Sequence, residues 1–364
     1  MFHQQRRMQG LCKQVAIAHH GLHVTSAKDP AAFMKTSKSI TRAFCVELQQ
    51  ELSIVAARRE YFSQEPPRTR FSFLCSSEAC RAQRVKITGV RYDVKPQENP
   101  TFVAAHFRAN PNYEHHVDCE WVDEAEAVED APDIEESAAE TAVRKAKRKL
   151  DDYIDVFDPA LKERTKSESA ATKPDALAEA KPANVTPASD TARSKQPAQT
   201  RTNNLERLVD SFRQAQAHLS KEEFALLTLK IPEQGEVTLR SYFRHIKFAQ
   251  VGDERRVLYG GGLVERYGTG FKFKFFDRLQ GKLVTLYVSP AQMQAYRSSR
   301  YISELLSHAD EVRFFTVFAL GTLAASPTGK SISVEIEDLR HVAIVLGPGK
   351  EAAPSGTDGA TPAQ

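Results

Sequence analysis

The chain has 364 residues, of which 41% are hydrophobic, and its 50 Lys and Arg against 47 Asp and Glu leave a formal charge of +3. That length can hold two domains, but the apolar share is too small for all of it to be packed. No run nears the roughly 20 apolar residues that a membrane span needs, and Lys13, His19 and His20 interrupt any h-region after Arg6 and Arg7, so a cytoplasmic protein without membrane contact is expected.

The small net charge hides a division. Residues 1–121 carry 17 basic and 11 acidic side chains (+6), residues 122–202 carry 13 and 18 (−5), and residues 203–346 carry 19 and 16 (+3). Two basic modules on either side of an acidic spacer are expected. Five cysteines, an odd number, suit reduced thiols or a metal site better than a disulfide framework.

Residues 1–38 hold no sustained period and read as a flexible N-terminus. From Ser39 to Phe62, Ile40, Phe44, Leu48, Leu52 and Val55 recur at three or four residues, which predicts one amphipathic helix ended by Pro66-Pro67. Cys75 and Cys80 follow with four residues between them, then a strand-like segment at 85–90, and then His106, His115, His116 and Cys119. Two cysteines, an intervening hairpin and a His-x-x-Cys pair supply four soft or borderline ligands, which is what tetrahedral structural zinc requires. The predicted set is Cys75, Cys80, His116 and Cys119, with His115 and His106 as alternates. Cys12 and Cys45 fall outside it. Residues 39–121 are therefore expected to form a small zinc-stabilised α+β module.

Cys75, Cys80, His106, Phe107, His116 and Cys119 resemble the zinc-ribbon-like N-terminal segment of competence CoiA-like proteins, over about 50 residues. Some members of that family carry a nuclease domain next, so the resemblance implies a nuclease or DNA-processing factor as one function. Here an acidic tract follows instead.

Residues 122–202 are acidic and low in complexity and read as a disordered linker. Within it, Tyr153, Ile154, Val156 and Phe157 stand out, and the stretch 150–158 reads as a docking segment for a protein partner. Order returns at Asn203, where Asn204 can cap one helix and Ser220 with Glu223 a second. Residues 347–364 read as a disordered tail.

Between them, a strand over Arg255–Tyr267 contains Gly260-Gly261-Gly262, and a second alternates Phe271, Phe273 and Phe275 with Lys272 and Lys274. A third covers Leu283–Val288, a helical stretch covers 290–308, and an apolar run over Val312–Leu323 precedes a last strand at Ser331–Ile336. Three meandering strands, a helix and a closing hairpin resemble the OB-fold, a five-stranded barrel that grips single-stranded nucleic acid or oligosaccharide. The whole is then mainly β with helices: the zinc module, the linker, and an OB-like barrel preceded by helices over 203–346.

In a strand of period two the phenylalanines share one face and the lysines the other. The rings are expected to fill the barrel, leaving Arg255, Arg256, Arg266, Lys272 and Lys274 to meet phosphates and Tyr259, Tyr267 and Tyr287 to stack bases. Thr328-Gly329-Lys330-Ser331 lacks the upstream glycine of a P-loop, since position 324 is alanine. No G-x-S-x-G or H-E-x-x-H element occurs. A non-catalytic binder of single-stranded DNA or RNA is the leading expectation, with a protein-interaction adaptor as a third alternative.

Overall fold

The computed structural model describes residues 39–98, 102–122, 137–150, 153–160, 200–232, 234–326 and 329–350. The expected flexible start, residues 123–136 and 161–199 of the expected linker, and the tail beyond 350 lie outside the described residues.

The N-terminal unit contains β1 (Arg42–Cys45), β2 (Gln50–Ser53), α1 (Ile54–Ser63), β3 (Phe73–Cys75), α2 (Glu78–Ala82), β4 (Lys86–Val90) and β5 (His106–Ala109). Its strands form an antiparallel sheet in the order β2-β1-β3-β4-β5. The helix expected over 39–62 is corrected: a hairpin takes its first part and only Ile54 onward is helical. A spacing of four is even, so it satisfies a strand as readily as a helix. The residues that line the buried side of β1, Ala43 and Cys45, carry too little apolar bulk to announce the strand period. Ser53 ends the hairpin and caps α1, its hydroxyl accepting the Ala56 N–H at 3.2 Å.

A second unit follows: α3 (Ala138–Arg148), β6 (Val156–Phe157), β7 (Arg201–Thr202), α4 (Leu205–His218), α5 (Lys221–Ala225), β8 (Thr228–Ile231), β9 (Gly235–Thr238), α6 (Leu239–Tyr242) and β10 (Phe243–His245). The expected caps form, Asn204 on α4 and a Ser220–Glu223 capping box on α5. The linker expected over 122–202 is corrected at 137–150 and 153–160. Ala146, Leu150, Tyr153, Ile154 and Phe157 are buried in one cluster with Leu205, Leu208 and Phe212 of α4. The apolar side chains expected to dock a partner are thus spent on this chain's own core. An apolar motif amid acidic residues looks the same in sequence whether its partner is another protein or a later part of the same chain.

The barrel is built from β11 (Arg256–Tyr267), β12 (Gly270–Leu279), β13 (Lys282–Val288), β14 (Phe315–Ala325) and β15 (Ser331–Glu335), with α7 (Pro290–Ala295) and α8 (Ser299–Leu306) between β13 and β14. The wall runs β11-β12-β13-β15-β14 and closes where β14 pairs with β11. The β13–β15 pair is parallel and the other four are antiparallel. Phe271, Phe273 and Phe275 are buried in the interior, as their alternation predicts. At Gly262, β11 passes from its parallel partner β10 to β12. A Cβ at Gly262 would stand 2.1 Å from the Lys274 carbonyl oxygen, so no side chain fits there.

One strand is unannounced in the sequence. β16 (Val342–Leu346) is buried along its whole length and pairs with the first half of β14. Its five apolar residues have no period, and the Gly347-Pro348-Gly349 turn signal that bounds them reads equally well as the start of the tail.

The N-terminal unit and the barrel are packed on each other, which corrects the picture of two modules on a tether. Phe62 of α1 belongs to the barrel's core cluster. Gln97 bridges to Leu346, the Glu98 N–H donates to the Leu346 carbonyl, and the Leu346 N–H donates to the Pro96 carbonyl, both at 2.8 Å. Between them lies a buried ion cluster. Arg58 donates to Glu206 at 3.0 Å and to Asp210 at 3.1 Å, Arg59 donates to Glu206 at 3.2 Å, and the Tyr301 hydroxyl of α8 donates to Glu206 at 2.7 Å. One carboxylate therefore ties α1, α4 and α8 together.

Candidate metal centre and the outer face of the barrel

Cys75 ends β3, where period two directs Phe73 and Cys75 to the same buried side. Cys80 lies in α2, directly after the turn that leaves β3, and the loop after β5 brings His115 and Cys119 over both. The Cys75 and Cys119 sulfurs are 3.6 Å apart, Cys119 Sγ is 3.4 Å from His115 Nδ1, and Cys80 Sγ is 3.8 Å from the same nitrogen. All four donor atoms lie within 4.8 Å of one another. Ligands about 2.3 Å (sulfur) and about 2.0 Å (nitrogen) from a central ion stand about 3.5–3.8 Å apart in a tetrahedron. The three observed separations are near that cage and the rest reach no more than 4.8 Å, so the group lies close enough to bind a metal ion.

His115, the alternate, takes the place expected of His116. The spacing rule could not choose between neighbours in a loop. The His116 imidazole instead accepts the Asp118 N–H at 3.3 Å, while its backbone N–H donates to Cys80 Sγ at 3.1 Å. His106 is also outside the group, its Nδ1 lying 3.0 Å from the Ala104 carbonyl oxygen. Cys45 is buried elsewhere, its thiol donating to Glu47 at 3.5 Å, and burial first of all pushes its pKa up to about 11. Cys12 lies outside the described residues.

The ligand loop is pinned from behind. The Ser76 hydroxyl donates to Glu120 at 3.0 Å and accepts from the Trp121 indole N–H at 2.7 Å, which locks the residues beside Cys75 to those beside Cys119. Burial pushes the Cys75 and Cys119 thiols up and the His115 imidazole down. All three groups are thus neutral without a cation, and a divalent ion would displace thiol protons as it binds.

The expected nucleic-acid residues divide. On the outer face of the barrel, Glu265 faces Lys272, which faces Tyr287, while Leu263 faces Lys274, which faces Thr285. Tyr267 is 46% exposed, Tyr287 49% and Leu263 53%. Lys274 ion-pairs with Glu265, whose other oxygen accepts the Tyr267 hydroxyl at 2.8 Å. Lys272, Lys274, Tyr267 and Tyr287 therefore share one face.

The other four do not join it. Arg255 is held by Glu337 at 2.9 Å and Arg256 donates to the Ser241 carbonyl at 3.2 Å, both at the far end of β11. Arg266 donates to the Ser303 carbonyl at 3.3 Å. Tyr259 stacks on Phe318 with centroids 5.3 Å apart. A strand of this length separates its ends by on the order of 30 Å, so residues close in sequence type need not be close in space.

Phe276 is a further residue of this face, absent from the expected set although the same alternation places it there. It is 55% exposed, because it continues the outward row of Lys272 and Lys274 one step beyond the buried Phe275. Phe276 meets Phe314 edge to face at 5.9 Å. Both rings lie over Gly261, where a Cβ would touch each at 3.4 Å.

Fold and site together define a mainly β protein with a closed five-strand barrel and a buried three-cysteine, one-histidine cluster. No helix among the described residues is long and apolar enough to cross a membrane. No family model, no curated protein and no solved structure matches the chain.

Proposed function

We propose that this is a non-catalytic, cytoplasmic protein that binds single-stranded nucleic acid on an OB-type barrel, with a structural zinc ion held by Cys75, Cys80, His115 and Cys119. One observation carries the reading. Three exposed aromatic rings, Tyr267, Phe276 and Tyr287, surround two lysines on the outer face of the first three barrel strands. Strand order supports the OB assignment: a three-strand meander, helices, then a hairpin whose last strand runs parallel to the third. In that fold the second and third strands and the loops beside them hold oligonucleotides. Aromatic rings stack bases whatever their sequence, and lysines meet the backbone. Zinc suits the donor set, because three thiolates and one imidazole close a tetrahedral site with no position left for a reacting water.

Replacing Lys272 and Lys274 together with alanine is expected to weaken binding of a single-stranded oligonucleotide and flatten its salt dependence. For every phosphate no longer neutralised, the slope of log affinity against log salt falls by about 0.7. Both side chains point away from the core, so melting should be unchanged. Anisotropy titrations at several salt concentrations measure the slope. An unchanged slope in a folded variant would leave the face as a solvated surface and favour the protein-adaptor alternative.

A further inference from the structure

A second concavity lies at the other end of the same outward row of β11. Tyr259 stands in it, two residues before Gly261, and α4, α5, α6 and β10 form its walls. The cleft has a volume of about 490 Å³, within the range of about 300–1,000 Å³ typical of small-molecule sites. Its floor is aromatic. Phe212 and Phe243 stack at 3.9 Å and 9°, and Phe224 and Tyr259 each stand edge-on to Phe212 at 5.7 Å.

The polar groups at this cleft are few and of one sign. Lys221 and Arg240 are exposed at its rim, and no acidic side chain is among its lining residues. The neighbouring Glu223 is engaged by Lys149 of the basic helix α3. Burial raises the Tyr259 pKa, against the Gln216 hydrogen bond and the Arg240 charge, which act to lower it. The hydroxyl therefore stays protonated and can donate as well as accept.

We propose that this cleft is a nucleotide site, taking a planar base on its aromatic floor and a terminal phosphate between Lys221 and Arg240. Two cations match a phosphate monoester, which carries roughly −1.5 to −2 at pH 7, whereas a carboxylate would leave one of them unmatched. A guanidinium holds phosphate oxygens in a two-pronged contact, and the Gln216 amide with the Tyr259 hydroxyl can bond the edge of a base. The nucleotide has two sources, a free nucleoside monophosphate or the phosphorylated end of a strand lying on the barrel. Only the second rests on the function proposed above.

Calorimetry of the full-length protein with a nucleoside monophosphate tests the site. Saturable binding is expected, weakened at least tenfold by Arg240→Glu and again by Lys221→Glu, with unchanged melting in both since the two side chains are exposed. No saturable binding at millimolar nucleotide, equal affinity for inorganic phosphate, or binding that survives both substitutions would overturn the proposal. Oligonucleotides with and without a terminal phosphate separate the sources. If Arg240→Glu weakens only the phosphorylated strand, the strand end is the ligand; if it weakens neither while the mononucleotide still binds wild type, the free nucleotide is. Strand binding that ignores the Lys272 and Lys274 substitutions would sink the barrel-face reading and leave the mononucleotide result standing.

Discussion

Cys119→Ala is expected to abolish binding of the proposed zinc ion and unfold the N-terminal sheet. Cys119 is the ligand whose sulfur touches both Cys75 and His115, so its loss opens the cage on two sides. Structural zinc contributes on the order of 10–16 kcal/mol to the folding of small zinc domains, as much as a typical domain's whole stability of about 5–15 kcal/mol. Cys75, Cys80 and Cys119 are buried members of the sheet's core beside Phe73, Phe107 and Trp121, so the substitution also removes a packed side chain from that core. The damage should also spread, because α1 follows that sheet and supplies Phe62 to the barrel's core.

Elemental analysis should find close to one zinc per chain in the wild type and none in the variant, with melting shifted downward. Acid should act in the same direction. The proposed ion would be held by thiolates, so its affinity should fall about tenfold per pH unit for each thiol proton regained. Freshly purified wild type that contains no metal and has freely reactive thiols would remove the zinc centre from the picture.

Glu206→Ala is expected to destabilise the whole molecule by about 3–5 kcal/mol, the usual cost of breaking a buried ion pair by removing one partner. Glu206 accepts hydrogen bonds from Arg58, Arg59 and Tyr301, and without it Arg58 keeps its bond to Asp210 while Arg59 loses its 3.2 Å carboxylate contact. Burial alone would raise the Glu206 pKa, but Arg59 and Arg58 outweigh it and hold the carboxyl below the ordinary range. The sign follows. A carboxyl with a depressed pKa adds stability above its unfolded pKa, and that stability is lost as the pH falls through the folded value. Chemical denaturation at neutral pH should show the full loss, and the difference between wild type and variant should shrink in acid. A loss under about 1 kcal/mol at neutral pH would mean the cluster is solvated, not buried.

Much of the barrel was legible in the sequence because its strands are joined by short turns and alternate strongly, as in Phe271 to Phe275. The metal cluster was legible as residue types, since cysteines and histidines crowd between positions 75 and 119. What failed has common physical causes. Local period cannot distinguish the β1 hairpin from a helix when its apolar residues fall four apart. It gives no sign of β16, which is buried on both faces, and none of the long-range burial of Tyr153, Ile154 and Phe157 in an acidic context. Composition groups Arg255, Arg256, Arg266 and Tyr259 with the lysines; the length of β11 separates Arg255, Arg256 and Tyr259 from them, and alternation turns Arg266 away from the face that Tyr267 joins. Choosing His115 over His116 needs the turn of one loop, which spacing does not contain.

Photocrosslinking of a single-stranded oligonucleotide to the intact protein, followed by peptide mapping, tests the proposed function most directly. Crosslinks are expected in peptides spanning 263–287, at Tyr267, Phe276 or Tyr287, and excess single strand should compete them away while duplex does not. Crosslinks confined to other surfaces, or a yield no higher than with duplex, would contradict a single-strand site on the barrel.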